Sequence, residues 1–293
     1  MADKIALGTA QFGMDYGISN PRGKISRDEV FDILDNAANA GIDMLDTAQA
    51  YGESEEVIGS YLRSSNNRLR IITKLSPCAP GDVGRIFESS LKKLNCDSVE
   101  GCLIHNFSSY ADNKDVWKKV EDIRRQGKAK KIGFSLYYPY ELENIFKDGL
   151  NIDMVQIPLS IFDQRFCGYL PQLKKRNIEI HARSVFLQGL VFKSPHGLDA
   201  FFNSIKSRLE DLNDMATVKS VPLFALCINF IAQNKFIDKV VVGIDGKSHL
   251  EQMLKASKYG AKVAELTQRL NALRIDDENM ILPFRWELKK RAK

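Results

Sequence analysis

Strand-like and helix-like segments alternate along this chain from its first residues to beyond position 240. Eight short apolar, β-branched runs, IALGT, IDMLD, LRIITK, VEGCLIH, KKIGFS, IDMVQIP, IEIHARS and DKVVVGI, read as strands. Between the first two, Ser26-Arg27-Asp28-Glu29 has the form of a capping box, in which hydroxyl and carboxylate satisfy free backbone amides. Val30, Phe31, Ile33, Leu34, Ala37 and Ala38 follow at helical spacing, and Gly41 ends the run. The same pattern returns around Val57 to Leu62, Ile86 to Leu94, Val116 to Ile123 and Leu142 to Phe146. Parallel strands joined by right-handed crossovers need helices outside the sheet, and eight units close most simply into a (β/α)8 TIM barrel. An open doubly wound sheet is the runner-up, but its usual GxGxxG after strand one is absent from GTAQFGMDYG.

One barrel absorbs the whole length, so residues 1–293 are expected to form a single α/β domain. Segment 186–220 breaks the rhythm after strand seven and 260–293 extends past the eighth unit. Each is placed to cover the barrel mouth. The start of the chain lacks a charged and then apolar leader, and no apolar run reaches membrane-spanning length. A cytoplasmic address with no membrane partner is expected. Five scattered cysteines without a CxxC predict reduced thiols and no metal site. A net charge of +5 is concentrated only in the terminal WELKKRAK, which with no accompanying nucleic-acid motif predicts no nucleic-acid partner. No heptad indicates an oligomeric state.

In such a barrel the C-terminal strand ends form the catalytic face, so polar residues one unit apart become neighbours there. Asp46, Lys74, His105 and Ser135 end strands two to five at intervals of 28, 31 and 30 residues, and Gln156 and Arg183 end strands six and seven. Tyr51 lies in the loop after Asp46. An ammonium beside a phenol is expected to lower its pKa from ~10, Asp46 to hold Lys74, and His105 to orient a carbonyl while Tyr51 protonates it. His181 reads as a core residue of strand seven, His196 as a loop residue, Cys102 and Trp117 as core. Trp286, in LPFRW, reads as a staple for the tail or a residue of the mouth.

LDTAQAYGESEEVIG, IITKLS, CLIHN, KIGFS and VQIP, in this order and at these intervals, resemble the aldo-keto reductase superfamily over nearly the entire chain. The resemblance implies a cytoplasmic oxidoreductase that reduces an aldehyde or ketone with a hydride from NADP(H), NAD(H) remaining open, and a small-molecule carbonyl substrate. Tyr51 is then the proton donor, Lys74 and Asp46 tune it and His105 orients the substrate. The resemblance places Gly8, Thr9 and Gln11 at the nicotinamide end of the cofactor and Ser135 and Gln156 on its carboxamide. Arg183 stands where an aromatic commonly stacks, with Ser184 beside it. Gly243, Lys247, His249 and Gln252 fall in the segment that clasps the adenosine phosphate. Leu136 stands where the pattern has Asn, and Met253 replaces another Asn. Only Lys247 is an obvious cation for a 2′-phosphate, with Asp245 close by. The compact loops, SVFLQGLV and LPFRW are similar to bacterial members acting on sugars and polysaccharides, which implies a sugar-derived or nucleotide-linked substrate. Arg183, Lys193 and the tail cations are the candidates for a substrate phosphate. The same fold also serves cofactor-binding regulatory or sensor subunits. A barrel hydrolase is poorly supported, since strand one has no HxH and strands four and seven do not end in paired carboxylates.

Overall fold

The computed structural model describes residues 1–286. The basic tail that follows, with Lys289, Lys290 and Arg291, lies outside the described residues. Eight parallel strands close into a barrel: β1 (Ile5–Gly8), β2 (Met44–Asp46), β3 (Arg70–Leu75), β4 (Val99–Ile104), β5 (Ala129–Ser135), β6 (Met154–Pro158), β7 (Glu179–Arg183) and β8 (Lys239–Gly243). β1 closes the ring on β8, with Gly8 opposite Gly243.

The outer helices form where the apolar spacing places them. Arg27–Asn39 buries Val30, Ile33, Leu34 and Ala37, and Asp115–Arg125 buries Val116, Trp117, Val120 and Ile123. These faces and the outer sides of the strands make one large core between barrel and helices. The capping box forms only in part. Ser26 accepts from the Glu29 amide at 3.4 Å, but the Glu29 carboxylate turns away to Arg22, which outcompetes an exposed amide as a charged partner.

Inside the barrel sits a separate apolar plug of Ala6, Met44, Ile72, Leu103, Met154 and Val241. Side chains two residues apart on a strand share a face. One step above this plug therefore come Gly8, Asp46, Lys74, His105, Gln156 and Gly243. The catalytic face is the next layer of the barrel filling, resting on a dry floor. On β7 the same step carries His181 to Arg183. His181 is fully buried, as a core residue should be.

After β7 the chain makes short helical turns at Leu187–Phe192, Pro195–Gly197 and Ala200–Phe202, then the helix Asn203–Lys219. His196 lies in the second of these turns. The helical repeat of Val263, Leu266, Leu270 and Leu273 buries its apolar face but is broken into Gly260–Ala264 and Thr267–Asn271. The Thr267 hydroxyl donates to the Ala264 carbonyl at 2.9 Å, competing with the backbone ladder at the break. Trp286 is buried, meets Phe202 edge-on at 5.1 Å and donates to the Asn279 carbonyl, which makes it a staple. The cysteines are all free, and Cys102 is fully buried in the core. Among the described residues no single helix is long and apolar enough to cross a membrane.

Candidate active site

The strand ends bring Asp46 and Lys74 into contact. Lys74 Nζ donates to Asp46 Oδ1 at 2.6 Å and to the Thr47 carbonyl at 2.9 Å, with side chains 0% and 3% exposed. Gln156 Nε2 donates to the other Asp46 oxygen, Oδ2, at 2.6 Å. A buried ion pair persists only when its remaining lone pairs and protons are satisfied, and here Thr47 and Gln156 supply that. Burial still lowers the Lys74 pKa, against the pull of Asp46.

Tyr51 follows β2 in a tight turn. Lys74 Nζ stands over its ring, 5.0 Å from the centroid, and His105 meets it edge-on with centroids 5.8 Å apart at 85°. The electrostatics reverse the expected effect of lysine. Burial is the largest influence on the Tyr51 phenol and raises its pKa, Asp46 adds to the rise, and Arg183 opposes it. The Lys74 ammonium is already engaged by Asp46 and Thr47, so it does not hold a phenolate. His105 is driven down to about 3 by burial first, then by Lys74 and Arg183. It is neutral across the physiological range.

The turn carrying Tyr51 is held from behind. Thr9 donates its hydroxyl to the Asp46 carbonyl at 3.0 Å, and Ser54 donates to the Thr9 carbonyl at 2.9 Å. Glu55, buried, accepts from Thr73 at 2.6 Å and from Ser90 at 3.1 Å, fastening the next helix to the strand that bears Lys74. Gly13 packs directly under the turn: a Cβ there would stand 1.9 Å from the Tyr51 carbonyl oxygen.

A pocket opens above this layer, and Gly8, Thr9, Gln11, Asp46, Tyr51, His105, Ser135, Gln156, Arg183, Ser184, Gly243 and His249 all border it. Lys247 and Gln252 do not. Both are exposed, and the Lys247 amide donates to Glu29 at 3.3 Å. Met253 is buried in the core, so it offers a cofactor nothing. Gln156 has its amide nitrogen committed to Asp46. Leu136 is fully buried, but its carbonyl accepts from Arg183 at 2.8 Å. Arg183 also donates to the Ser184 hydroxyl and lies 4.2 Å from the Tyr137 ring centroid.

Strand ends alone do not give the upper walls. Tyr16, Tyr137, Phe186, Gln188, Phe192 and Phe224 also border the pocket, all from loops or helix starts. The loops after β1 and β7 clasp one another: the Ile18 amide donates to the Gln188 carbonyl at 3.0 Å, and Gln188 Nε2 donates to the Tyr16 hydroxyl at 3.2 Å. Left-handed backbone at Ser184, Leu187, Gln188 and Gly189 folds the second loop tightly enough to reach. The only sequence sign of Tyr16 is its place in the loop after strand one.

Two observations bear on whether a nicotinamide dinucleotide fits. Gln11 Oε1 is buried on the pocket side with no hydrogen-bond partner. The paired glycines Gly8 and Gly243 let Gln11 lie against the strand backbone, where a Cβ on Gly243 would stand 3.1 Å from Gln11 Nε2. An unused buried acceptor on a residue that borders the pocket suits a polar ligand that can donate to it. Among the described residues no three His, Cys, Asp or Glu side chains stand together as metal ligands would.

Comparison with known proteins places this architecture. The model of the Aldo/keto reductase family matches residues 4–275. The uncharacterized oxidoreductase YqkF of Bacillus subtilis is 24% identical over 218 residues, covering 69% of this chain and 70% of that protein. The 6-dehydroglucose reductase of Agrobacterium fabrum is 24% identical over 181 residues, covering 54% of this chain and 61% of that protein. The solved structure of aldo-keto reductase AKR11C1 from Bacillus halodurans superposes with a TM-score of 0.74 at 16% identity, covering 94% of this chain and 95% of that one. With a family match across nearly all of the barrel, the chain belongs to the aldo/keto reductase family and is an oxidoreductase.

Proposed function

We propose that the protein reduces an aldehyde or ketone to an alcohol with NAD(P)H, Tyr51 giving the proton. The observation that carries this reading is the pairing of a protonated phenol with a buried Lys74–Asp46 ion pair and a neutral His105 around one pocket. A bound nicotinamide cofactor supplies the hydride. The chain supplies the rest. With its pKa raised, Tyr51 keeps its proton until charge develops on the carbonyl oxygen, then donates it there. Arg183, whose charge opposes the rise, stabilises the phenolate left behind. His105, uncharged, orients the oxygen by hydrogen bonding without competing for the proton. Gln11, Ser135 and the Gly8–Gly243 floor bind the cofactor.

A sugar-derived or nucleotide-linked carbonyl is the proposed substrate class, supported by the likeness to a 6-dehydroglucose reductase and by Tyr16, Tyr137 and Arg183, which offer ring faces and a cation at the mouth. The proposed setting is cytoplasmic.

Single-turnover hydride transfer tests the assignment. Tyr51→Phe is expected to slow it by ~10²–10⁴-fold while nucleotide still binds. A wild-type rate in Tyr51→Phe overturns the proton-donor role. A panel of simple aldehydes, keto-sugars and nucleotide-sugars, followed by NADH and NADPH absorbance, tests the substrate class. Turnover confined to simple aromatic aldehydes removes the sugar reading.

A further inference from the structure

The pocket continues from Tyr51 along β1 and β8 to Asp245 and to His249 in the first turn of the helix Lys247–Lys255. A dinucleotide with its nicotinamide against Tyr51 must place its other half in this direction. Helix starts ordinarily welcome a phosphate, because their free amides and dipole favour negative charge. Here two carboxylates are already present. Glu29 accepts from the Lys247 amide at 3.3 Å, taking one of those donors. Asp245 Oδ1 accepts from Gln11 Nε2 at 3.1 Å, and its other oxygen lies 3.7 Å from His249 Nδ1.

The nearby arginine is not free to compensate. Arg22 donates from Nη1 to Glu29 Oε1 at 3.0 Å and to the Asp245 carbonyl at 3.3 Å, and from Nη2 to Glu29 Oε2 at 2.7 Å. The fork is pressed onto the chain at Gly246, where a Cβ would stand 2.3 Å from Nη1 and 2.8 Å from Glu29 Oε1. Glu29 has forgone its capping bond within its own helix to make this contact. Beside it, Gln11 borders the pocket with its Oε1 buried and without a partner, an acceptor left unused by the protein.

We propose that Glu29 and Asp245 make this a site for NAD(H) in preference to NADP(H). A ribose 2′-hydroxyl can donate to a carboxylate or to the Gln11 oxygen, whereas a 2′-phosphate brings two negative charges to an end where Asp245 is already anionic and the one nearby arginine is spent on Glu29. The inference rests on the reading of the pocket as a nicotinamide-nucleotide site and deepens it.

Dissociation constants of NADH and NADPH, measured by quenching of intrinsic fluorescence and checked by nucleotide-induced shifts in Tm, test it without turnover. NADH is expected to bind at least ~10-fold more tightly than NADPH. In Glu29→Gln and Asp245→Asn the gap is expected to narrow by ~10-fold or reverse, chiefly through tighter NADPH binding. Two separate variants guard against one that fails to fold. Equal or tighter binding of NADPH by the wild type overturns the proposal while leaving the reductase reading intact. An NADH preference unchanged in both variants overturns the assignment to these carboxylates. Binding of neither nucleotide overturns the reductase reading and this proposal with it.

Discussion

His105 shows how far burial reshapes a single residue. An imidazole with an ordinary pKa near ~6.5 would change charge within the working range, and a charged ring beside Tyr51 would compete for the role of acid. Burial, with the Lys74 and Arg183 charges, carries it to about 3, so His105 holds no extra proton to compete with the proposed donor, Tyr51. The expected pH profile follows from this. Between about pH 5 and pH 8, kcat for reduction shows no step with an imidazole midpoint. Steady-state rates across that range, in wild type and His105→Gln, check it. A limb near pH ~6.5 that vanishes in the variant would show that His105 titrates in the reaction.

At the scale of elements, the Tyr51 turn depends on close approach as well as on its own hydrogen bonds, in which the Tyr51 amide donates to the Ala48 carbonyl at 3.0 Å and the Ser54 amide to the Tyr51 carbonyl at 3.1 Å. Gly13 ends the short helical turn Ala10–Gly13, and the Glu53 amide donates to its carbonyl at 3.3 Å. Because a Cβ at Gly13 would meet the Tyr51 carbonyl at 1.9 Å and the Ser54 amide at 2.3 Å, all of it backbone, the turn must move if one is added. Gly13→Ala is expected to cost about 1–3 kcal/mol of stability. It should also lower kcat by at least ~10-fold, since small displacements of reacting groups are expensive. Gly81→Ala, with nothing within 4 Å, is the control and should change neither. Urea unfolding and steady-state kinetics on the two variants separate the cases. The strands and their polar ends were legible in the sequence because period two and the repeat interval are local properties. Asp46, Lys74, His105 and Tyr51 meet as that counting requires. The contacts that modify them were not legible, because each joins residues far apart in the chain: Gln156 on Asp46, Arg183 against Tyr137, Tyr16 with Gln188, Glu29 across to Lys247. Lys247 and Gln252 were placed by their segment alone, which fixes neither the helix's rotation nor where the pocket ends.

For the whole barrel, the charged layer below the apolar plug matters as much as the catalytic layer above it. On β7, Glu179 accepts from Lys131 Nζ at 2.6 Å and lies 2.7 Å from His181 Nε2, and Lys131 also pairs with Glu100 at 3.1 Å. These bonds tie β4, β5 and β7 together at the end opposite the site. Burial alone would raise the Glu179 carboxyl, but hydrogen bonds from His181 and Lys131 outweigh it and bring it from 4.5 to about 2. A carboxylate whose folded pKa is depressed stabilises the fold above its unfolded pKa, and that stability is lost as the pH falls through the folded value. The window therefore runs from about pH 5 to about pH 2, and the contribution is about 3 kcal/mol. His105 adds an overlapping window with the same sense. Its folded pKa is also depressed, so the unfolded chain binds the extra proton first, and stability falls as the pH drops from about 6.5 toward 3. The stability curve should accordingly fall from about pH 6.5 through His105 and steepen below about pH 5, where Glu179 adds to it. Urea midpoints measured at intervals from pH 7 to about pH 3 test this. His105→Gln should flatten the curve above about pH 5 and reduce its slope below, while Glu179→Gln should lower stability at neutral pH and reduce the slope only below about pH 5. A Glu179→Gln curve parallel to wild type below about pH 5 would show that the lower charged layer does not set the acid limit of the barrel.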